Sequence, residues 1–442
     1  MRTWTGSAAM ASGPLLIALA ALPGARAGAQ ERAETVFRDA RAYTVRIRTQ
    51  ISTPFMDDQR GSFGGAGFLV DAQRRWVITN AHVVGQSPST VQVAFADGTF
   101  RAARKVYVDS FTDVAVLEVP ADGQRHPVAP IDCDGVPDVG EAVGAFGHPL
   151  GIPFTGTRGI VSGKTDQLLN DLLQIDATVD HGNSGGPVIA LGSGRIVGIA
   201  TATAGGSKAE RVNFATPMKD VCRILDLLRS GVPPEPPQME FSLLVDEDGR
   251  HTLQVGCTYN AARWPFRPGD RILAVGSENQ KVETVSDLVT SLRGRAGAVA
   301  IRVERGGRET AIIATPSRRA SVIARRGISI DGALIAPLDF EDSTALGEPA
   351  RLVVQSVDPG SAAEALGLSQ MDIVQTIDGR RFDDLESLIG YLGHHPSGSP
   401  VRIVFRRMSQ SVNRWFEFHM RDLPGEDTRI IGPEPQFLSS GP

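Results

Sequence analysis

Between residues 43 and 216 the sequence is a series of short apolar runs, each broken by Gly, Asp, Asn or Pro. The runs are Tyr43–Thr49, Gly67–Val70, Trp76–Thr79, Val91–Phe95, Val114–Val119, Ala142–Phe146, Gly159–Val161, Leu173–Thr178, Pro187–Ala190, Arg195–Ala200 and Val212–Ala215. No long helical stretch of the βαβ kind separates them. Short strands joined by turn residues close into sandwiches or barrels, so the region is predicted to be an all-β pair rather than an α/β sheet. Gly 48 and Pro 28 supply the turns without reaching the roughly 25–30% of low-complexity chains.

Helical periodicity flanks this region. Residues 31–42 are predicted to be helical, with Val36 and Phe37 as apolar contacts. After the last run, Thr216 is placed to cap a helix and Pro217 to open it; Val221, Ile224, Leu225 and Leu228 give it one apolar face, and Gly231 ends it. Pro233-Pro234-Glu235-Pro236-Pro237 then reads as a stiff extended spacer and a domain boundary. Beyond it, Gly269–Val275 resembles Met371–Ile377, about 102 positions on, and each copy leads to a leucine-bearing helix and a strand ending in arginines (Ile301–Arg305, Ile403–Arg407). Two copies make tandem modules, 238–318 and 319–422, rather than a solenoid. The polar tail 423–442 is expected to be disordered.

Other classes are excluded by charge and content. Lys+Arg 45 against Asp+Glu 50 leaves −5, with no basic field for nucleic acid. No apolar run reaches the roughly 18–20 residues of a membrane span. Met1-Arg2, the apolar stretch Pro14–Leu22 and the small residues up to Ala29 read as a secretory signal over residues 1–29, cut after Ala27 or Ala29. Arginine outnumbers lysine as in a GC-rich bacterial gene, so a periplasmic or secreted product is expected, with no span in the mature chain. Cys133, Cys222 and Cys257 allow at most one internal bridge; Cys222, beside Val221 and Ile224, reads as a buried thiol. Three cysteines also exclude a four-cysteine zinc site, and Gly64-Gly65-Ala66-Gly67 lacks the spacing and Lys of a phosphate loop.

The chemistry concentrates in Gly182-Asn183-Ser184-Gly185-Gly186-Pro187. A serine between glycines before an apolar strand sits on a tight turn, and the N–H groups of Gly182 and Ser184 can converge on a developing oxyanion. A serine hydroxyl needs a base. His82, at the end of the Trp76–Thr79 strand, is the candidate. Asp113, at the mouth of the apolar run Val114–Val119, is the candidate for orienting it; Asp109 competes but reads as a turn residue.

These residues carry a resemblance. Thr79–Val84, Thr112–Leu117, Gly147–Gly151, Gly159–Ser162, Gly182–Pro187 and Asn213–Pro217 resemble the trypsin-like serine proteases of the HtrA (Deg) type, as does the order of signal, protease, linker and repeated modules. The resemblance implies a mainly β chain: a double β-barrel protease domain over 31–230, the linker 231–237, an atypical PDZ-like domain over 238–318 and a PDZ domain over 319–422. It implies Ser184 as nucleophile, His82 as base and then acid, Asp113 as orienter and Gly182 with Ser184 as the oxyanion hole. It also implies cleavage of unfolded proteins for quality control without ATP, cofactor or metal, and homo-trimers or multiples of them. A catalytically silent peptide-binding scaffold, or a regulatory protease with one substrate, stays open.

Thr178 stands six positions before the serine, where digestive trypsins have an aspartate; Thr178, Val179, Ala200, Thr201 and Ala202 are expected to form a modest apolar pocket for small aliphatic residues. Asn183 replaces the aspartate that pairs with a zymogen's new N-terminus, so control by loop ordering is expected instead. His181 is read as a surface residue or, more sharply, as a proton sensor of the loop. In the second module Gly327, Ile328 and Ile330 are expected in a carboxylate-binding loop, with Leu385 and Leu388 lining a groove for peptide C-termini. The first module, with Trp264-Pro265-Phe266 where a helix is usual, offers no clear carboxylate loop.

Overall fold

The computed structural model describes residues 23–165, 171–201, 212–338, 352–396, 398–408 and 415–433. The leader expected over 1–29 falls mostly outside them, and helix α1 (Pro23–Tyr43) contains both expected cleavage positions. Among the described residues no helix is long and apolar enough to cross a membrane.

Six strands close the first barrel: β1 (Thr44–Ile51), β2 (Gly61–Asp71), β3 (Trp76–Thr79), β4 (Thr90–Ala94), β5 (Arg101–Asp109) and β6 (Val114–Glu118), in the order β1-β2-β3-β6-β5-β4. Six more close the second: β7 (Ala142–Gly147), β8 (Thr155–Thr165), β9 (Leu172–Ile175), β10 (Pro187–Ala190), β11 (Ile196–Thr201) and β12 (Asn213–Pro217), in the order β10-β11-β12-β9-β8-β7. Closure removes free edges, and branched side chains fill each interior: Val45, Ile47, Phe68 and Ile78 in one, Val143, Val161, Leu173 and Ile175 in the other. The glycines at 64–67 lie inside β2, paired with β1 throughout, not in a turn. Phe37 of α1 stacks on Phe146 of β7 at 5.7 Å, fastening the N-terminal helix to the second barrel.

Helix α3 (Met218–Arg229) buries Val221, Ile224 and Leu225 as its periodicity requires. Its start differs from expectation. Thr216 and Pro217 belong to β12, and the Thr216 hydroxyl donates to the Thr112 carbonyl instead of capping. Cys222 is not a free thiol: it is bonded to Cys133, 89 residues away, and Cys257 is free and exposed. The spacing of two lone cysteines carried no sign of that pairing. The Pro233–Pro237 segment is docked rather than free-standing, for the Pro234 carbonyl accepts from Tyr107 Oη at 3.2 Å and from Arg293 Nη1 at 2.7 Å.

The first module is a six-stranded sheet with helix α4 (Val285–Leu292), opened by a capping box of Thr284 and Asp287. The second is a seven-stranded sheet with the helix Leu385–Leu392, capped by Asp384. The tail expected to be disordered over 423–442 contributes to this sheet: Thr428–Ile431 forms one edge, with Phe416–Leu423 of the module itself at the other. Apolar alternation in a four-residue strand is too brief to stand out beside its polar neighbours. Residues 434–442 lie outside the described residues.

Candidate active site

Helix α2 (Ala81–Val84) is a single turn placed directly after β3, and it presents His82 to the groove between the barrels. Asp113 precedes β6 with φ 52°, a left-handed conformation that aspartate tolerates better than most residues. That bend aims its carboxylate at α2. Asp113 Oδ2 lies 2.8 Å from His82 Nδ1, and Oδ1 accepts from the His82 backbone N–H at 3.0 Å. Asn80 Nδ2 holds the Asp113 carbonyl at 2.8 Å, and Thr201 Oγ1 donates to Oδ2 at 3.1 Å. The carboxylate is thus pinned by ring, backbone and hydroxyl donors. Asp109 is elsewhere: buried, it pairs with Arg293 at 2.5 Å and accepts from the Phe111 N–H and the Thr112 hydroxyl.

Ser184 sits on the turn that leads into β10. Asn183 N–H donates to Asp180 O, Gly186 N–H to Asn183 O and Gly185 N–H to Ala200 O, each at 2.9 Å. Gly182 (φ 105°) and Gly185 (φ 85°) occupy backbone conformations that exclude other residues, and a Cβ on Gly182 would strike the His148 carbonyl. Ala66 N–H of β2 donates to Ser184 O at 2.8 Å, which joins the turn to the barrel that carries His82. The serine is almost buried (5% exposed). A cavity of about 550 Å³ is lined by His82, Asp113, Thr201, Phe63, Leu172 and Asp58.

His148 was not singled out in the sequence, yet it is the buried histidine of this site. Its N–H donates to Gly182 O at 3.1 Å, and its Nδ1 accepts from the Phe154 N–H at 3.0 Å. Burial holds its pKa down to about 4, with Arg46 adding to the effect and the Val45 backbone opposing it. His181 is exposed, and its carbonyl accepts from Leu150 N–H at 2.9 Å. A Gly-His-Pro string before a loop was the only signal for His148.

The expected specificity pocket is only partly assembled. Val179 and Ala200 are buried in the core of the second barrel instead of lining a pocket. Thr178 is exposed, with its carbonyl accepting from Thr157 Oγ1 at 2.8 Å. Thr201 faces the cavity but is tied to Asp113, and Ala202 lies outside the described residues. In the second module Gly327–Ile330 is a strand paired on both sides, not a loop, and Leu385 and Leu388 are buried in the module core rather than lining an open groove. The helix periodicity that suggested a groove served packing instead. Among the described residues no group of three His, Cys, Asp or Glu side chains is arranged to hold a metal ion.

The trypsin-like peptidase domain family matches residues 65–199, and the PDZ domain family matches residues 335–413. The serine endoprotease DegS of Escherichia coli (strain K12) is 37% identical over 177 residues, 38% of this chain and 49% of DegS. A probable periplasmic serine endoprotease, DegP-like, of Brucella suis biovar 1 (strain 1330) is 29% identical over 363 residues, 75% of this chain and 68% of the relative. Both its trypsin-like and its PDZ segments are similar to those of HtrA/Deg-type serine endoproteases. The HtrA-type protease AlgW with tripeptide superposes with a TM-score of 0.53 at 25% identity, covering 65% of this chain and 97% of AlgW. The chain spans about half the length of the DegS relatives it matches. Its double barrel is the trypsin-like domain and its second module the PDZ domain.

Proposed function

We propose that the chain is a serine endopeptidase of the bacterial periplasm that cleaves unfolded or misfolded proteins. The observation that carries this reading is the His82–Asp113–Thr201 network, together with the bond from Ala66 N–H to Ser184 O that joins β2 of the barrel carrying His82 to the Ser184 turn. With Nδ1–H given to Asp113, Nε2 of His82 is left as the base. It takes the Ser184 proton as Oγ bonds to the substrate carbonyl carbon. Asp113 balances the imidazolium, and the Gly182 and Ser184 N–H groups receive the oxyanion. The same proton then goes to the leaving amine as the C–N bond breaks. Water, deprotonated by His82, hydrolyses the acyl-enzyme and returns the proton to Oγ.

No carboxylate stands at position 178, so arginine and lysine are not the favoured residues on the acyl side; small aliphatic ones are. The PDZ domain would take extended peptides, the first module would act as an atypical PDZ-like spacer, and the chain would assemble as a trimer or a multiple of it after loss of its leader. Control would come from ordering of the loops at the site. The near-burial of Ser184 favours a second reading, a silent peptide-binding scaffold. A serine-directed fluorophosphonate and casein hydrolysis decide between them. Labelling of the wild type but not of Ser184→Ala, with casein cleaved only by the former, is expected. An unlabelled serine in folded protein would establish the scaffold.

A further inference from the structure

Strand addition needs a free strand edge. The strand Gly327–Ile330 has one edge paired with Ala333–Pro337 and the other paired, antiparallel, with Thr428–Ile431 of the same chain. Gly327 faces Ile431, Ile328 faces Ile430, Ser329 faces Arg429 and Ile330 faces Thr428. The chain itself therefore sits where an incoming peptide would pair.

This placement is latched. The carboxylate of Asp331 accepts three successive backbone N–H groups ahead of the strand: Gly425 at 2.6 Å, Glu426 at 3.0 Å and Asp427 at 2.9 Å. Asp331 N–H returns a bond to the Asp427 carbonyl at 2.8 Å. Ile431 packs with Phe55, Leu334 and Ala336, and Arg429 lies 3.9 Å from Asp358. Ile430, by contrast, is 54% exposed, so the strand covers the edge without a deep anchor for that side chain. A fixed turn followed by a lightly held strand is the construction of a displaceable occupant.

We infer that residues 428–431 are a built-in ligand that keeps the peptide edge of the PDZ domain closed, and that an extended peptide with the same pattern, a basic residue followed by two β-branched aliphatic residues, opens it by exchange. The inference rests on the reading of Gly327–Ile330 as the edge that takes peptide. A competitor pays for displacement, so its apparent affinity is reduced by the fraction of chains in which the edge is open.

The test is anisotropy of a fluorescent decapeptide with the sequence of residues 424–433 against the full chain carrying Ser184→Ala, which separates binding from cleavage. Ile430→Asp with Ile431→Asp should open the edge and bind the probe at least about tenfold more tightly than the parent. Arg429→Ala, a milder opening, should fall between them. Ser329→Cys with Arg429→Cys, in a Cys257→Ser background, should lose binding when oxidised and regain it in reductant, with the parent in the same reductant as reference. Equal affinity of the parent, opened and oxidised forms would overturn the inference and place the peptide elsewhere, such as the free edge of Phe416–Leu423. Hydrogen exchange of the 327–330 amides separates the two failures. If they exchange freely in the opened form and the probe still does not bind, the peptide-edge reading itself is wrong. If their exchange and the binding are both unchanged, only the built-in ligand is. Fluorophosphonate labelling of Ser184 is independent of every arm.

Discussion

At the scale of single residues, the site is organised around one carboxylate. Asp113 receives the His82 ring, the His82 N–H and the Thr201 hydroxyl. Thr201→Val keeps the volume and removes one donor to a charged acceptor, a bond worth about 1.5–3 kcal/mol. Only part of that is felt in the transition state, so kcat/KM should fall about tenfold, with an unchanged melting profile, in a peptide-hydrolysis assay. Asp113 itself was legible because a carboxylate ahead of an apolar strand demands a donor. Thr201 was read as a pocket wall because nothing in a threonine at a strand end says which barrel it faces. His148 was hidden for a similar reason: its burial comes from tertiary packing. The pH consequence has a definite sign. The folded pKa is about 4 and the ordinary value 6.5, so between them the unfolded chain binds a proton that the folded one does not. Stability is lost as pH falls through that window, by roughly 3 kcal/mol in all. Asp220, raised to about 6 chiefly by burial, opposes this over pH 6 to 3.8. The clean measurement is therefore the difference in urea midpoint between wild type and His148→Gln, which should shrink as the buffer is taken from pH 7 to pH 4.5.

At the scale of elements, the repeat seen in the sequence has a structural cause. Asp270 pairs with Arg305 through Nε at 2.7 Å and Nη2 at 2.6 Å, and Asp372 pairs with Arg407 at 2.6 and 2.7 Å. Each pair spans 35 residues and ties the start of one strand to the end of another around the module's helix. Both carboxylates are buried. Burial pushes the Asp270 pKa up, but the bonds from Arg305 prevail and hold it below the ordinary range. Arg407→Ala would leave Asp372 buried and unpaired, at a cost of about 3–5 kcal/mol to the second module, readable as a lowered melting transition. The barrels were legible because alternation and turns recur along the chain. The Thr428–Ile431 strand was not, because four residues after a Pro-Gly turn carry no period, and its partner lies about a hundred residues upstream.

At the scale of the molecule, the loop between β1 and β2 joins the peptidase barrel to the PDZ domain. Met56 N–H donates to Gln355 Oε1 at 3.1 Å, and Ser356 Oγ donates to the Pro54 carbonyl at 2.6 Å. Asp57 meets Arg325 at 2.8 Å, and Arg60 meets Asp358, the carboxylate that Arg429 also approaches. The loop's other side belongs to the cavity: Asp58 lines it and accepts the Ser87 N–H at 2.6 Å, while Phe55 N–H donates to Ser87 Oγ at 2.8 Å. Contacts between residues some 300 positions apart leave no trace in a single sequence. Phe55 is the apolar centre of the joint, packed on Leu334, Ala336 and Ile431. Phe55→Ala should weaken the docking by about 3 kcal/mol while leaving the His82–Asp113 bond intact. Because the ring touches both the loop and the C-terminal strand, amides 52–60 and 428–431 should both exchange faster, and any gain in peptide affinity should be matched by an equal factor in loop release, since coupling between two sites is reciprocal. Faster exchange in the loop with an unchanged strand would show that the ring holds the two domains together but not the strand to its edge.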